Sequence, residues 1–239
     1  MRNHRKLLQL AIENSSAPKA FKVHAEGDDE ATVYLYDVID PYWGVGAEAF
    51  AKAMAGITAK TINLRVNSPG GDVFEARAMV AAIGAHSARV IAHIDGLAAS
   101  AATYVAMAAD EVRIADGAFM MIHQAWTFSM GNATDLRAQA DLLDKVDASI
   151  VADYGRKTGK DAEQVAQWMA DETWFTSAEA VENGFADTVV QNDKGSSTTQ
   201  NRWTLSAYQK VPKALTAPPE PDLSSAARAR ALALLERFG

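Results

Sequence analysis

Apolar residues along the chain fall into two alternating spacings. Thr32-Val33-Tyr34-Leu35-Tyr36-Asp37-Val38 is dense in β-branched and aromatic residues and predicts a strand. Thr61 to Val66, Arg89 to Ile94 and Glu111-Val112-Arg113-Ile114 predict three more. Between them, Ala47 to Ala55, Val73 to Ala85 and a segment opened by Ser100 and running to about Ala108 have helical composition. This alternation implies βαβ units around a mostly parallel sheet. A long helix is predicted from about Thr134 to Tyr154, with Leu136, Ala140, Leu143, Val146 (or Asp147) and Ile150 near helical spacing. Helices over Asp161 to Met169 and Ser177 to Asn183 follow, the second ended by Gly184.

The pattern divides the chain into three parts. Residues 1–27 are mixed in character and end in the acidic Glu26-Gly27-Asp28-Asp29-Glu30, so the fold proper is expected over residues 28–191. Residues 192–239 read as a flexible extension: polar with Gly and Ser to Asn201, and proline-rich from Pro212 to Pro221. Ser224 to Phe238 is an amphipathic helical stretch expected to fold only against a partner.

Composition narrows the chemistry. With 239 residues, 49% of them hydrophobic, the chain can bury one large core. It has no cysteine, which excludes disulfides, thiolate metal sites and a cysteine nucleophile. A formal charge of −7 without a basic stripe argues against nucleic-acid binding. Apolar runs break well before the roughly 20 residues that span a bilayer. The basic start lacks a long apolar core and cleavage site, so a cytoplasmic protein without membrane contact is expected.

Ser100 lies in Gly96-Leu97-Ala98-Ala99-Ser100-Ala101-Ala102, among residues too small to screen it from a carbonyl. His123 follows in Met120-Met121-Ile122-His123-Gln124. Alone, each is a packing residue more often than a catalytic one. Together they supply a hydroxyl and a base whose unperturbed pKa is near 6.5, the requirements for acyl transfer. A carboxylate should orient the imidazole, and Asp171 and Glu172 are adjacent candidates. Gly71, in Asn67-Ser68-Pro69-Gly70-Gly71-Asp72, and Ala101, directly after the serine, are natural N–H donors to an oxyanion. Both segments fall at carboxyl ends of predicted parallel strands, where such folds bind ligands.

These residues resemble the ClpP family of serine peptidases, within the wider Clp/crotonase fold. The matching motifs are Ser68-Pro69-Gly70-Gly71, Gly96 to Ala102, Met121-Ile122-His123-Gln124, and Ser177-Ala178-Glu179-Ala180 with Gly184-Phe185-Ala186-Asp187, over roughly residues 30 to 190. The resemblance implies an α/β fold of repeated β-β-α units with a mostly parallel sheet and a protruding helical handle. It makes Ser100 the nucleophile, His123 the base, and Gly71 with Ala101 the oxyanion hole. Gly70, Asp72, Val73 and Gln124 are implied to bind substrate, and no metal or cofactor is implied. The triad acid departs from the pattern: Glu172 holds the family's aspartate position, with Asp171 one residue before it.

The Glu172-Thr173-Trp174-Phe175-Thr176-Ser177-Ala178 ending and the C-terminal extension look like the ClpP-like proteases of phage and prophage head assembly. That implies a serine endopeptidase forming a homo-oligomeric ring, cutting capsid or scaffold protein in the host cytoplasm or a procapsid. The alternatives are a general ATP-dependent Clp proteolytic subunit with an ATPase unfoldase partner, a crotonase-type acyl-CoA enzyme, and an inactive assembly protein. The related signal peptide peptidases use a lysine base, which brings in Lys145 and Lys157, but the Met-Ile-His-Gln match favours histidine. Trp43, Trp126, Trp168 and Trp174 read as packing or interface residues, and His86 and His93 as surface or strand residues.

Overall fold

The computed structural model describes residue 10 and residues 12–14, 20–25, 29–191 and 203–216. Among the described residues, eight strands form one sheet: β1 (Ala20–Ala25), β2 (Glu30–Tyr36), β3 (Thr61–Ser68), β4 (Arg89–Ala99), β5 (Glu111–Ala115), β6 (Phe119–Ile122), β7 (Thr173–Thr176) and β8 (Thr188–Val190). The main path runs β1-β2-β3-β4-β5-β8, while β6 pairs with β4 and β7 with β6. Only the β1–β2 and β6–β7 pairings are antiparallel. The described helices are α1 (Ala47–Ala55), α2 (Val73–Ala85), α3 (Ala101–Ala106), α4 (Ala133–Thr158), α5 (Ala162–Ala170), α6 (Ser177–Glu182) and α7 (Lys213–Thr216).

Period-2 alternation builds the core. Val33, Leu64, Ala92 and Val112 pair side by side across four parallel strands, as do Leu35, Val66, Ile94 and Ile114. All eight are fully buried with Phe50 and Met54 of α1 and Met79 and Ile83 of α2. Each large side chain contributes roughly 1.5–3 kcal/mol relative to exposure.

Strand β4 decides where the chemistry sits. Its first half, Ile91 to Ile94, pairs with β5, and its second, Leu97 to Ala99, pairs with β6 instead. The sheet therefore forks, and the ends of β4 and β6 lie side by side. The run Gly96 to Ala99, expected to lead into a helix, continues the strand; helix begins only after Ser100.

The long helix α4 spans 26 residues, capped by Asn132 and ended at left-handed Gly159. Its first three turns are almost wholly exposed, and its buried residues, Val146, Ile150 and Tyr154, all lie in its second half, so it protrudes as the expected handle.

The ends of the chain differ from the composition-based division. β1, before residue 27, pairs with β2 along its full length, because a neighbour's backbone can satisfy a polar-faced edge strand. Residues 203–216 also belong to the folded body: Trp203, Leu205, Ala207 and Tyr208 form a second core with Leu10, Val38, Leu97, Ala99 and Met121. The proposed linker at 192–201 and the amphipathic stretch at 224–238 lie outside the described residues. Among the described residues, no helix is long and apolar enough to cross a membrane.

Candidate active site

Ser100 stands at the strand-to-helix corner between β4 and α3 with φ 56° and ψ −120°. An L-residue resists this region, at a cost of about 1–3 kcal/mol. The neighbours hold it there. Ser100 N–H donates to the Met121 carbonyl at 2.8 Å, and the buried Thr103 hydroxyl reaches the carbonyls of both Ala98 and Met121 at 2.6 and 2.8 Å. The same bonds join β4 to β6. His123 follows β6 directly, and its Nε2 lies 2.8 Å from Ser100 Oγ. The small residues Ala98, Ala99, Ala101 and Ala102 are at most 5% exposed, so they are packed as tightly as they are small.

The second strand end is the turn after β3. Ser68 donates its hydroxyl to the Asp37 carbonyl, Ile39 N–H donates to Gly70 O, and Asp72 N–H to Ile39 O. Gly71 sits at φ 154° between those bonds, and a Cβ there would lie 2.0 Å from the Ile39 carbonyl oxygen. At Gly70, φ 91°, a Cβ would lie 2.4 Å from Ala99 O, so the absence of side chains lets this turn touch the nucleophile's strand. Among the described residues, the backbone N–H groups of Gly71 and Ala101 enter no backbone hydrogen bond.

A groove of about 730 Å³ opens beside Ser100, with Gly71 to Phe74 along one wall and Ala125 to Phe128 along the other. Its apolar floor includes Leu143, Val146 and Ile150 of α4. Tyr104 and Tyr154 close the far end, and burial together with a bond to Asp153 pushes the Tyr104 phenol up to about 12. Asp147 accepts Ala125 N–H at 2.7 Å and so ties the second wall to α4; burial raises its pKa against that bond. Trp43, Phe74, Trp126 and Phe128 also line the groove, so two of the tryptophans read as packing residues face the site. Their spacing in sequence carries no period that could have grouped them.

The remaining site candidates are distributed unevenly. Val73 and Asp72 line the groove, but the Asp72 carboxylate is committed to capping α2 through Phe74 and Glu75 N–H. Gln124 lines a separate recess with Asp147 and Met169 and donates its N–H to Met169 O. Both triad-acid candidates accept hydrogen bonds from other parts of the chain. Glu172, at φ 51°, accepts backbone N–H from Gln209 and Lys210 at 2.7 and 2.6 Å. Asp171 accepts from Gln167 and Lys210 side chains, and these bonds lower its pKa. The cause is tertiary: residues 203–216 fold back and bring donors to these carboxylates. Lys157 donates to the Ala109 carbonyl, so its ammonium is spent at the end of α3's loop rather than at Ser100.

Sequence reasoning also missed Tyr208. Its ring meets the His123 ring edge-on, with centroids 5.5 Å apart and planes at 76°, and its hydroxyl donates to Pro69 O. A lone tyrosine in a polar, proline-flanked segment offers no sequence signal for this.

The model of the Clp protease family matches residues 47–193. The ATP-dependent Clp protease proteolytic subunit 1 of Protochlamydia amoebophila is 29% identical over 171 residues, covering 69% of this chain and 82% of that protein. Proteolytic subunit 2 of Treponema denticola is 31% identical over 137 residues, covering 56% and 68%. A solved ClpP1 mutant from Listeria monocytogenes superposes with a TM-score of 0.60 at 22% identity, over 69% of this chain and 93% of that one, and shares the fold.

Proposed function

The chain belongs to the Clp protease family and is a serine-type peptidase; from this we propose that Ser100 is its nucleophile, His123 its general base, and Gly71 with Ala101 its oxyanion donors. The observation that carries the assignment is the 2.8 Å contact between Ser100 Oγ and His123 Nε2 at a strained corner beside an open groove. In the first step Ser100 Oγ bonds to the scissile carbonyl carbon while its proton passes to His123 Nε2. The Gly71 and Ala101 N–H groups receive the negative oxygen; each donor of this kind is worth on the order of 3 kcal/mol. His123 then gives its proton to the leaving amine as the C–N bond breaks, leaving an ester on Ser100. Water attacks that ester with His123 again accepting a proton, and the acid product leaves Ser100 protonated. Gly70 shapes the turn, while Val73 and Asp72 border the bound chain.

The groove's apolar floor suits a large apolar side chain next to the cut bond. The substrate we favour is a capsid or scaffold protein of a phage or prophage head, cut in the host cytoplasm or within a procapsid, because the Trp174 segment and the C-terminal extension resemble that branch. The curated relatives' names support a second reading, a proteolytic subunit supplied by an ATPase partner. Both readings use a homo-oligomeric ring; Leu136 and Leu142, 46% and 44% exposed on α4, give the handle an apolar surface for a neighbouring subunit. An acyl-CoA enzyme has less support, since enolate chemistry requires no strained, histidine-bonded serine. Incubating the protein with capsid and scaffold gene products from the same locus, and separately with an unfolded protein plus a Clp ATPase, distinguishes the readings by mass mapping of the cuts. Ser100→Ala should abolish cleavage and fluorophosphonate labelling in either case. Labelling that persists in this variant at another residue removes the Ser100 assignment.

A further inference from the structure

Residues 203–210 cross the catalytic side of the molecule and are fastened along their length. Trp203 Nε1 donates to Asn67 Oδ1, next to the glycine turn. Thr204 exchanges two backbone bonds with the Asn14 side chain, its N–H donating to Oδ1 and its carbonyl accepting from Nδ2. Farther along, Glu172 clamps the N–H groups of Gln209 and Lys210. Tyr208 lies between these anchors and is 7% exposed. Trp174 packs edge-on against its ring at 5.8 Å, opposite a second edge-on contact to His123.

Tyr208 therefore touches both halves of the site. Its ring backs the imidazole, and its hydroxyl holds the Pro69 carbonyl, one residue before Gly70-Gly71. Tyr208 borders the groove beside Ser100. We infer that Tyr208 is a positioning residue, by which the C-terminal segment sets the His123 ring and the oxyanion turn in register with Ser100. The inference rests on the proposed roles of Ser100 and His123. Burial pushes the Tyr208 phenol far up, with the nearby Glu172 charge adding to this and a hydrogen bond with Ser100 opposing it, so the hydroxyl keeps its proton and remains a donor at any working pH. Catalytic geometry of this kind is sensitive, since a displacement of about 1 Å can cost about 100-fold in rate. In this reading Glu172 acts by docking the segment that carries Tyr208.

The test compares Tyr208→Phe, Tyr208→Ala and Ser100→Ala in the full chain, measuring kcat and KM on a peptide substrate and the fluorophosphonate labelling rate. Tyr208→Ala is expected to lower kcat and labelling about 10- to 100-fold with KM within about twofold of wild type. Tyr208→Phe keeps the ring against His123 and loses the hydroxyl's interactions with Pro69 O and Ser100, so it should restore part of that loss. If Tyr208→Ala does not fold, Tyr208→Phe decides alone, by a lower kcat at unchanged KM. Wild-type kcat and labelling in Tyr208→Phe, and in Tyr208→Ala where it folds, overturns the inference and leaves Tyr208 as packing. A rise in either variant also overturns it, because the segment is then a plug, and a rise in KM alone makes Tyr208 a substrate contact instead. Labelling of Ser100→Ala overturns the Ser100 assignment and is read independently of the Tyr208 variants.

Discussion

Strain at the nucleophile makes a stability prediction that does not depend on any substrate. Ser100 is held at φ 56° and ψ −120°, a region that glycine enters freely. Ser100→Ala and Ser100→Gly both lose the hydroxyl and its bond to His123, so that bond cancels when the two are compared. Alanine keeps the strain of about 1–3 kcal/mol. Glycine releases it and in exchange gives up about 0.5–1 kcal/mol of extra backbone entropy on folding. Ser100→Gly should therefore be the more stable of the pair by about 1 kcal/mol, or about 2–4 °C in Tm for a chain of this length. Thermal and urea unfolding of both variants at one protein concentration measures this, the concentration being fixed because assembly shifts Tm. Equal stability, or a less stable glycine variant, would refute the claim that this corner stores strain.

Three further outcomes are expected. Gly71→Ala places a Cβ 2.0 Å from the Ile39 carbonyl and must displace the turn, so kcat/KM should fall about 100- to 1000-fold while far-UV circular dichroism stays native; activity within threefold of wild type contradicts the oxyanion role of Gly71. Thr103→Val removes the hydroxyl that reaches Ala98 O and Met121 O, which should cost about 1–2 kcal/mol in urea unfolding and slow labelling of Ser100; unchanged labelling would show that the β4–β6 junction holds without it. His93, on β4, faces Asn63, Arg65, Glu111 and Arg113, and burial first, then the two arginines, lowers its pKa to about 4. Because the unfolded chain takes up a proton near pH 6.5 and the folded one only near pH 4, this contribution is complete above 6.5 and is lost as the pH falls toward 4. For a half-exposed group it amounts to about 1–2 kcal/mol. His93→Gln should flatten that part of the stability profile, and an equal slope in both proteins excludes His93 as its source.

Much of the architecture was legible because its signals are local. The period-2 runs of β2, β3 and β5 and the helices α1, α2 and α4 end within a few residues of their predicted positions. β6 and β7 were not predicted: four-residue strands have too short a pattern, and each forms because a partner strand satisfies its backbone. Similarly, Gly96 to Ala99 has no strand propensity, yet β6 recruits it into β4. Ser100, His123 and Gly71 were found because residue type and order encode their chemistry. The groove aromatics Trp43 and Phe128 come from distant loops with no common period, so only folding groups them.

By itself the sequence determined the cysteine-free composition, the alternation that makes a parallel sheet, and the residue types able to transfer an acyl group. Tertiary structure decided which of those residues meet. It forks the sheet at β4 so that Ser100 and His123 come within a hydrogen bond. It also folds residues 203–216 onto the site, bonding Glu172 and Asp171 to Gln209 and Lys210 and placing Tyr208 on His123. The physical reason is that a carboxylate bonds whichever donors the folded chain brings to it, and donors 37 or more residues away leave no trace in local pattern.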